Sequence, residues 1–231
     1  METVGVYISV PVACFRVPRA REYFETFPCP PPATVYGMLL SMVGEVNRYA
    51  HEGAEVAIAL LSEPAYSVVL RTMWRVKERN AGPGLGNNRR PDFQELLTDV
   101  RLAVWVRRSV NERSNTLLAQ RVRAALQMPS SVSRFGGLSL GESAHLVDEI
   151  ALLKERPEKR PAECQMLFAE EAGDLSLPIW PDHVGSVTTW GQYRLRPTPF
   201  PADEPSEDNA WTAIKRKTSL PDTFPTLRHI D

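Results

Sequence analysis

Val100-Arg-Leu-Ala-Val-Trp-Val-Arg107 alternates without a break. Val100, Leu102, Val104 and Val106 share one side, and Arg101, Ala103, Trp105 and Arg107 share the other. A period of two marks a strand with one face in a core. On its N-terminal side, Tyr66 to Trp74 reads as a second strand of the same kind. Between them lies a different segment, residues 75–92. It carries Arg75, Lys77 and Arg79, then Asn80-Ala-Gly-Pro-Gly-Leu-Gly-Asn-Asn88, then Arg89, Arg90 and Pro91. This is a glycine-rich tip with basic shoulders.

Farther upstream, Thr34 is the expected N-cap of a helix. Val35, Met38, Leu39, Met42, Val43 and Val46 recur there at helical spacing, and Gly37, Ser41 and Gly44 form a stripe of small residues. Thr26-Phe-Pro-Cys-Pro-Pro-Pro32 before it reads as stiff and extended. The chain opens with a strand over residues 4–16, in which Pro11 marks an edge or a bulge. Downstream, Asn111 to Met128 reads as a second helix, with Leu118, Val122 and Ala125 inward and Pro129 ending it.

Arg134-Phe-Gly-Gly-Leu-Ser-Leu-Gly-Glu-Ser143 follows, ahead of a fourth strand from about Ser143 to Leu153. Glycine permits positive φ and close approach of a ligand to the backbone. Successive amide N–H groups in such a bend can hold an anion. With Arg134 at its edge the bend is a candidate phosphate cradle, and the plainer alternative is a tight turn. Beyond residue 153 the pattern weakens. Lys154 to Pro161 reads as a polar loop, Cys164–Phe168 and Val184–Leu195 as short strands, and Pro201–Asp208 as an acidic mobile stretch. Lys215-Arg-Lys217 is a small basic cluster.

Strand, helix, strand, strand, helix, strand is the order of a ferredoxin-like βαββαβ domain, an α+β fold. The expected organisation is such a domain over residues 1–155, with a basic thumb hairpin (75–98) between its second and third strands. A C-terminal β extension and partly mobile tail would fill 156–231. Two helices would cover one sheet face and leave the other free, and a free sheet face is a common platform for RNA.

Composition narrows the partners. Of 231 residues 43% are hydrophobic, which is enough for a core, and no apolar run is long enough to span a bilayer. The start lacks the features of a signal peptide. Cys14, Cys29 and Cys164 are odd in number and far apart, as in a cytoplasmic protein with reduced thiols. Net charge is −1, yet Arg71 to Arg123 holds twelve Lys/Arg against five Asp/Glu, a local +7 that leaves −8 elsewhere. Charge separated this strongly suits an anionic partner, with solvated arginines as the plainer alternative. No spaced Cys/His cluster supports zinc, and no cofactor is expected. Asp182-His183 reads as an ordinary turn pair, because adjacent strand side chains diverge. Gly82-Pro-Gly-Leu-Gly86 lacks the ending of a nucleotide-binding loop.

Several segments resemble one family. They are Ala13-Cys-Phe-Arg16, Thr26-Phe-Pro-Cys-Pro-Pro-Pro-Ala-Thr-Val-Tyr-Gly-Met-Leu-Leu40, the basic insert 75–92, Gly136-Gly-Leu-Ser-Leu-Gly-Glu-Ser143 and Leu177-Pro-Ile-Trp180. Together they resemble the handle-binding RAMP subunit of type I CRISPR surveillance (Cascade) complexes, the fifth Cas family, in its DevS-like branch. The resemblance runs over most of residues 4–195. It implies a subunit that binds the 5′ handle of the CRISPR RNA and caps one end of the complex. It also implies contacts with the repeated backbone subunit (seventh Cas family) and the large subunit (eighth), target DNA being met through the complex. The insert would be the family's thumb, a hairpin that reaches across the guide. The candidate RNA contacts are Arg16, Trp74, Arg75, Lys77, Arg79, Arg89, Arg90, Arg134, Gly136, Gly137 and Ser139. Guanidinium forks suit phosphate oxygens, and Trp74 is either a stacking group for an unpaired base or core at the root of the insert.

One branch of that family cleaves precursor RNA, with a tyrosine and an adjacent lysine–histidine pair. Here His51, His145, His183 and His229 are scattered, and none adjoins a lysine. The comparable strand end carries Arg107-Arg108, and arginine stays charged and shuttles protons poorly. No catalytic residue is therefore expected. In the alternative of a metal-independent endoribonuclease, His51 would be the base. A third reading is a protein-interaction module that touches no RNA.

Overall fold

The computed structural model describes residues 3–18, 23–182 and 187–216. In chain order the elements are β1 (Thr3–Ala13), β2 (Tyr23–Phe24), α1 (Pro32–Met42), β3 (Glu55–Leu60), β4 (Ala65–Trp74), β5 (Arg89–Arg107), α2 (Leu118–Gln127), β6 (Glu149–Leu152), β7 (Glu163–Ala169), β8 (Leu175–Asp182), β9 (Val187–Pro199) and β10 (Thr212–Ala213). The strands form one sheet in the order β6-β1-β5-β3-β7-β9-β8. Each neighbouring pair on that path is antiparallel. β10 pairs with β3, β4 pairs only with β5, and β2 runs parallel to β5 at Tyr23↔Phe93 and Phe24↔Gln94. Among the described residues no helix is long and apolar enough to cross a membrane.

One side of the sheet is packed by the helices. Val4, Val6, Ile8 and Val10 of β1, with Val100, Leu102, Val104 and Val106 of β5, join Val35, Met38 and Leu39 of α1 and Leu118 and Val122 of α2 in one buried cluster. The expected free face is not free. Tyr7, Ala57, Ala59, Ala103 and Trp105 are buried there beneath Leu153, Met166, Phe168, Ala210 and Trp211. Gly5 makes room for the Trp105 indole, since a Cβ at Gly5 would stand 3.1 Å from Trp105 Nε1. Trp105 Nε1–H donates to the Asp203 carbonyl (2.9 Å) and Trp211 Nε1–H to the Pro205 carbonyl (3.1 Å). The acidic stretch 201–208, expected to be mobile, is thus the acceptor side of the second core. Two buried indole donors need partners, and its carbonyls supply them.

Several boundaries differ from the sequence reading. The second core strand is β3, not Tyr66–Trp74. Glu55-Val-Ala-Ile-Ala-Leu60 is buried on both faces, so it lacks the polar alternation by which strands are recognised. Tyr66–Trp74 belongs to β4, the outgoing arm of a hairpin with ten residue pairs against the first part of β5. The hairpin therefore spans 65–98 and is longer than the expected insert. α1 begins at Pro32 rather than after Thr34, because proline at the first helical position has a preset φ and no N–H to leave unpaired. Gly44 at φ +68 stops it, a Cβ there would meet the Ser133 carbonyl oxygen at 2.3 Å, and Val46 stands in solvent. α2 starts at Leu118, seven residues after the expected Asn111, and its first N–H is capped by the Glu112 carboxylate at 2.6 Å. The fourth core strand shrinks to Glu149–Leu152, preceded by the isolated bridge Ser139↔Leu146.

β7 pairs with β3 at Ala59↔Met166 and Leu60↔Gln165, so the C-terminal strands prolong the same sheet. Pro11 lies past the end of β6 on the exposed side of β1, where the β1–β5 register continues unshifted from Val10↔Val100 to Val12↔Thr98 and only the position of Pro11 is skipped. Opposite Pro11 sits Asp99, at φ 59. Its carboxylate takes two hydrogen bonds from Arg101, at 2.9 and 2.6 Å, and its carbonyl accepts one from Ser62 Oγ. Aspartate and asparagine tolerate this left-handed region better than branched residues do. Asp99→Val is expected to lower stability by roughly 1–2 kcal/mol. Asp99→Asn should stay within about 0.5 kcal/mol, because the lost pair with Arg101 is exposed. Equilibrium denaturant unfolding of the two variants measures both.

Candidate nucleic-acid interface

The hairpin tip is organised by a residue the sequence reading passed over. Asn88 is buried inside the turn. Its Oδ1 accepts the N–H groups of Lys77 and Glu78, each at 2.7 Å, and its Nδ2 donates to the carbonyls of Glu78 (2.9 Å) and Ala81 (2.7 Å). A single amide therefore satisfies four backbone groups of the chain that enters the glycine run, which is how asparagine commonly builds turns. Its place in a polar, glycine-rich string hides this role, because nothing there marks it as buried.

Around that scaffold the predicted contacts divide. Lys77, Arg79 and Arg89 are exposed. Arg75 is exposed too, with its Nε donating to the Asn87 carbonyl at 3.0 Å. Arg90 instead forms an ion pair with the fully buried Asp92, Nε to Oδ1 2.7 Å. Trp74 is 71% exposed, so it is not core at the root. Gly84, at φ +75, lies against its indole, and a Cβ there would meet the ring at 2.8 Å.

The root of the hairpin joins the glycine loop. Arg71 of β4 stands 3.5 Å from Glu142 of the loop. Gly141, at φ +93, packs so closely on the end of β1 that a Cβ would sit 2.6 Å from the Cys14 carbonyl oxygen. The Cys14 N–H donates to His145 Nδ1 (3.1 Å), the Phe15 N–H to Thr26 Oγ1 (2.8 Å), and the Thr26 N–H to Glu95 Oε2 of β5 (3.0 Å). Arg16 is exposed, with its guanidinium over the Phe24 ring. The end of β1, β2, the hairpin root and the loop are therefore one connected unit.

Within the loop, Arg134, Gly136 and Gly137 are exposed, and Phe135 is fully so. Gly136 takes φ +74 with open space where a Cβ would be, and Gly137 lies against Leu146. Neither amide N–H meets an acceptor among the described residues. Ser139 is half-buried, bridged to Leu146. The loop thus combines a tight turn at Gly141 with an outward bend of unpaired amides beside Arg134.

The histidine weighed as a base lies elsewhere. His51 is 0% exposed. Its Nε2 accepts from Arg121 Nη1 (3.0 Å), so the proton sits on Nδ1 and is donated to Glu112 at 2.8 Å. Arg121 also donates to the Val43 carbonyl and pairs with Glu45. The ring is a strut linking the end of α1 to the start of α2. His183 and His229 lie outside the described residues, as does the end of the 215–217 cluster. Among the described residues no group of three or more His, Cys, Asp and Glu is placed to hold a metal.

No family model matches the chain. A protein of Myxococcus xanthus (strain DK1622) described as "CRISPR-associated protein Cas5" is 47% identical over 187 residues, which are 80% of this chain and 86% of that protein. The chain belongs to the Cas5 family. Solved structures share its architecture. One described as "CRISPR RNA-guided surveillance complex" aligns with a TM-score of 0.60 at 16% identity, over 90% of this chain and 95% of that one. A second, described as "Crystal structure of Cas protein", gives 0.53 at 13% identity, over 86% and 95%. The Cas5 chain thus has the mixed α+β architecture of these structures, dominated by an antiparallel sheet.

His145 of this Cas5 protein is expected to couple the glycine loop to pH. Burial pushes its imidazole below the ordinary 6.5, outweighing the nearby Glu142 carboxylate, and Arg71 adds to the lowering. The neutral ring is the folded form, because Nδ1 must accept the Cys14 N–H. The stabilisation is complete above 6.5 and is lost as pH falls through the lowered folded value. Amide exchange, corrected for its intrinsic pH dependence, is expected to show falling protection of 138–147 between pH 7 and about pH 5. Protection of α2 should hold over that interval.

Proposed function

We propose that this chain is a non-catalytic subunit of a type I CRISPR surveillance complex that holds and caps the 5′ handle of the CRISPR RNA. The observation that carries the reading is that the root of the basic hairpin and the glycine loop meet at the end of β1, where Gly141 packs on the Cys14 carbonyl, Thr26 bonds Glu95 of β5 and Arg71 faces Glu142. Arg75, Lys77, Arg79 and Arg89 offer cationic groups along the hairpin, suited to a strand's phosphates. The unpaired amides of Gly136 and Gly137 with Arg134 offer a second anion-binding surface. Trp74 offers an exposed face for an unpaired base. The core order β6-β1-β5-β3, with α1 between β1 and β3 and α2 between β5 and β6, supports a ferredoxin-like domain in residues 1–155 carrying the thumb. Residues 156–231 would be its extension. The backbone and large subunits are the protein neighbours, target DNA is reached through the complex, and the setting is cytoplasmic.

The burial of His51, with both ring nitrogens engaged, favours this reading over a ribonuclease that would use it as the base. Purification of the tagged full chain from cells carrying its CRISPR array tests the proposal. RNAs that share one short 5′ segment are expected to co-purify, in amounts reduced by combined alanine substitution of Arg75, Lys77, Arg79 and Arg89. Recovery of protein neighbours without such RNA, or of the same RNA with the substituted chain, would overturn it.

A further inference from the structure

Two guanidinium groups share one aromatic ring at the hairpin root. Arg16 Cζ lies 3.9 Å from the centroid of Phe24, and Arg71 Cζ lies 5.3 Å from it. Phe24 is buried and is fixed by the pairing of β2 with Gln94 of β5. The ring attracts both cations through its negative face. It is therefore the common neighbour of two like charges, one from the end of β1 and one from the hairpin.

Arg71 is under-used where it stands. Its side chain is about one-third exposed, its Nε has no acceptor among the described residues, and its Nη1 is 3.5 Å from a Glu142 oxygen. Glu142 is likewise part-exposed, and a loose pair of this kind contributes little to stability. Asp92, opposite Arg71 across the hairpin, is already engaged by Arg90. A phosphodiester offers what Glu142 does not: two anionic oxygens that can meet a guanidinium fork and a second cation at once.

We propose that Arg16 and Arg71, held on Phe24, form a clasp for one backbone phosphate of a single-stranded RNA, and that Glu142 is its built-in competitor. On binding, the phosphate displaces the Glu142 carboxylate from Arg71. No bond is made or broken, and only ion pairs exchange. The inference rests on the RNA-binding reading above and adds to it Arg71, Phe24 and Glu142, none of which the sequence reading singled out as a contact.

The roles are separable by sign. If Arg71 and Glu142 only tie the hairpin to the loop, removing either charge weakens RNA binding. If Glu142 competes with phosphate, R71A and E142Q act in opposite directions. Fluorescence anisotropy of the full chain, with a synthetic RNA carrying the repeat-derived 5′ segment, is read across a salt series. R71A is expected to weaken binding about tenfold and to reduce the log–log salt slope by about 0.7, the value for one phosphate of a single strand. R16A should act in the same direction. E142Q is expected to tighten binding about threefold, with unchanged thermal stability. Weakened or unchanged binding by E142Q, or an unaltered slope in R71A, overturns the clasp. A wild-type chain that holds no RNA overturns the RNA-binding reading and the clasp together. A wild-type chain that binds while all three variants match it overturns the clasp alone.

Discussion

One strand has to serve two structures. From Leu102 to Arg107, β5 lies between β1 and β3, in the most buried part of the sheet, and β1 stays paired with it as far as Leu97. From Arg89 to Thr98 it is the return arm of the hairpin against β4. At about 3.3 Å per residue, ten pairs carry the tip roughly 30 Å from the core. No linker separates the two roles. The direction in which the cationic tip leaves the body is therefore set by core packing. A strand in this position cannot swing freely without disturbing Val100, Leu102 and Val104 beneath the helices.

The root contacts complete that constraint. Gly141 against the Cys14 carbonyl, Thr26 on Glu95, and both Arg16 and Arg71 on Phe24 bind the glycine loop, β1 and the hairpin into one corner. The charge segregation visible in the sequence also gains an address. Arg90, Arg101, Arg107 and Arg121 are engaged internally, by Asp92, Asp99, Glu55 and Glu45. The exposed cations of that region include Arg75, Lys77, Arg79 and Arg89. Four of the exposed cations thus stand together at one end of one hairpin, where they can steer an anionic strand, while Arg101, Arg108 and Arg113 are exposed elsewhere.

How much of this was legible follows from which physical signals a sequence carries. β1, the last part of β5 and the inward faces of both helices could be read, because apolar residues recur there at strand or helical spacing, although α1 turned out to be buried nearly all round. β3 could not, since Val56, Ile58 and Leu60 face one layer while Ala57 and Ala59 face another that is also buried. Burial of the second sheet face was invisible for the same reason. Trp105 beside two arginines looked like an exposed surface until Asp203 and Trp211, about a hundred residues downstream, closed over it. Of the candidate contacts, Lys77, Arg79 and Arg89 are exposed on the hairpin and Arg134 on the loop, whereas Arg90 has a buried partner. Arg71 and Asn88 were missed, because their roles depend on Glu142 and on the fold of the turn rather than on neighbours in sequence.

The account stands on the hairpin and the loop meeting the same nucleotides. The most direct measurement places a photoreactive amino acid at Arg79 and, separately, at Phe135, in the full chain assembled with its RNA and neighbouring subunits, and maps each crosslink by sequencing. The account predicts that both positions attach within a few nucleotides of each other, at the 5′ end of the RNA. Attachment at distant parts of the RNA, or of Phe135 to protein alone, would contradict it.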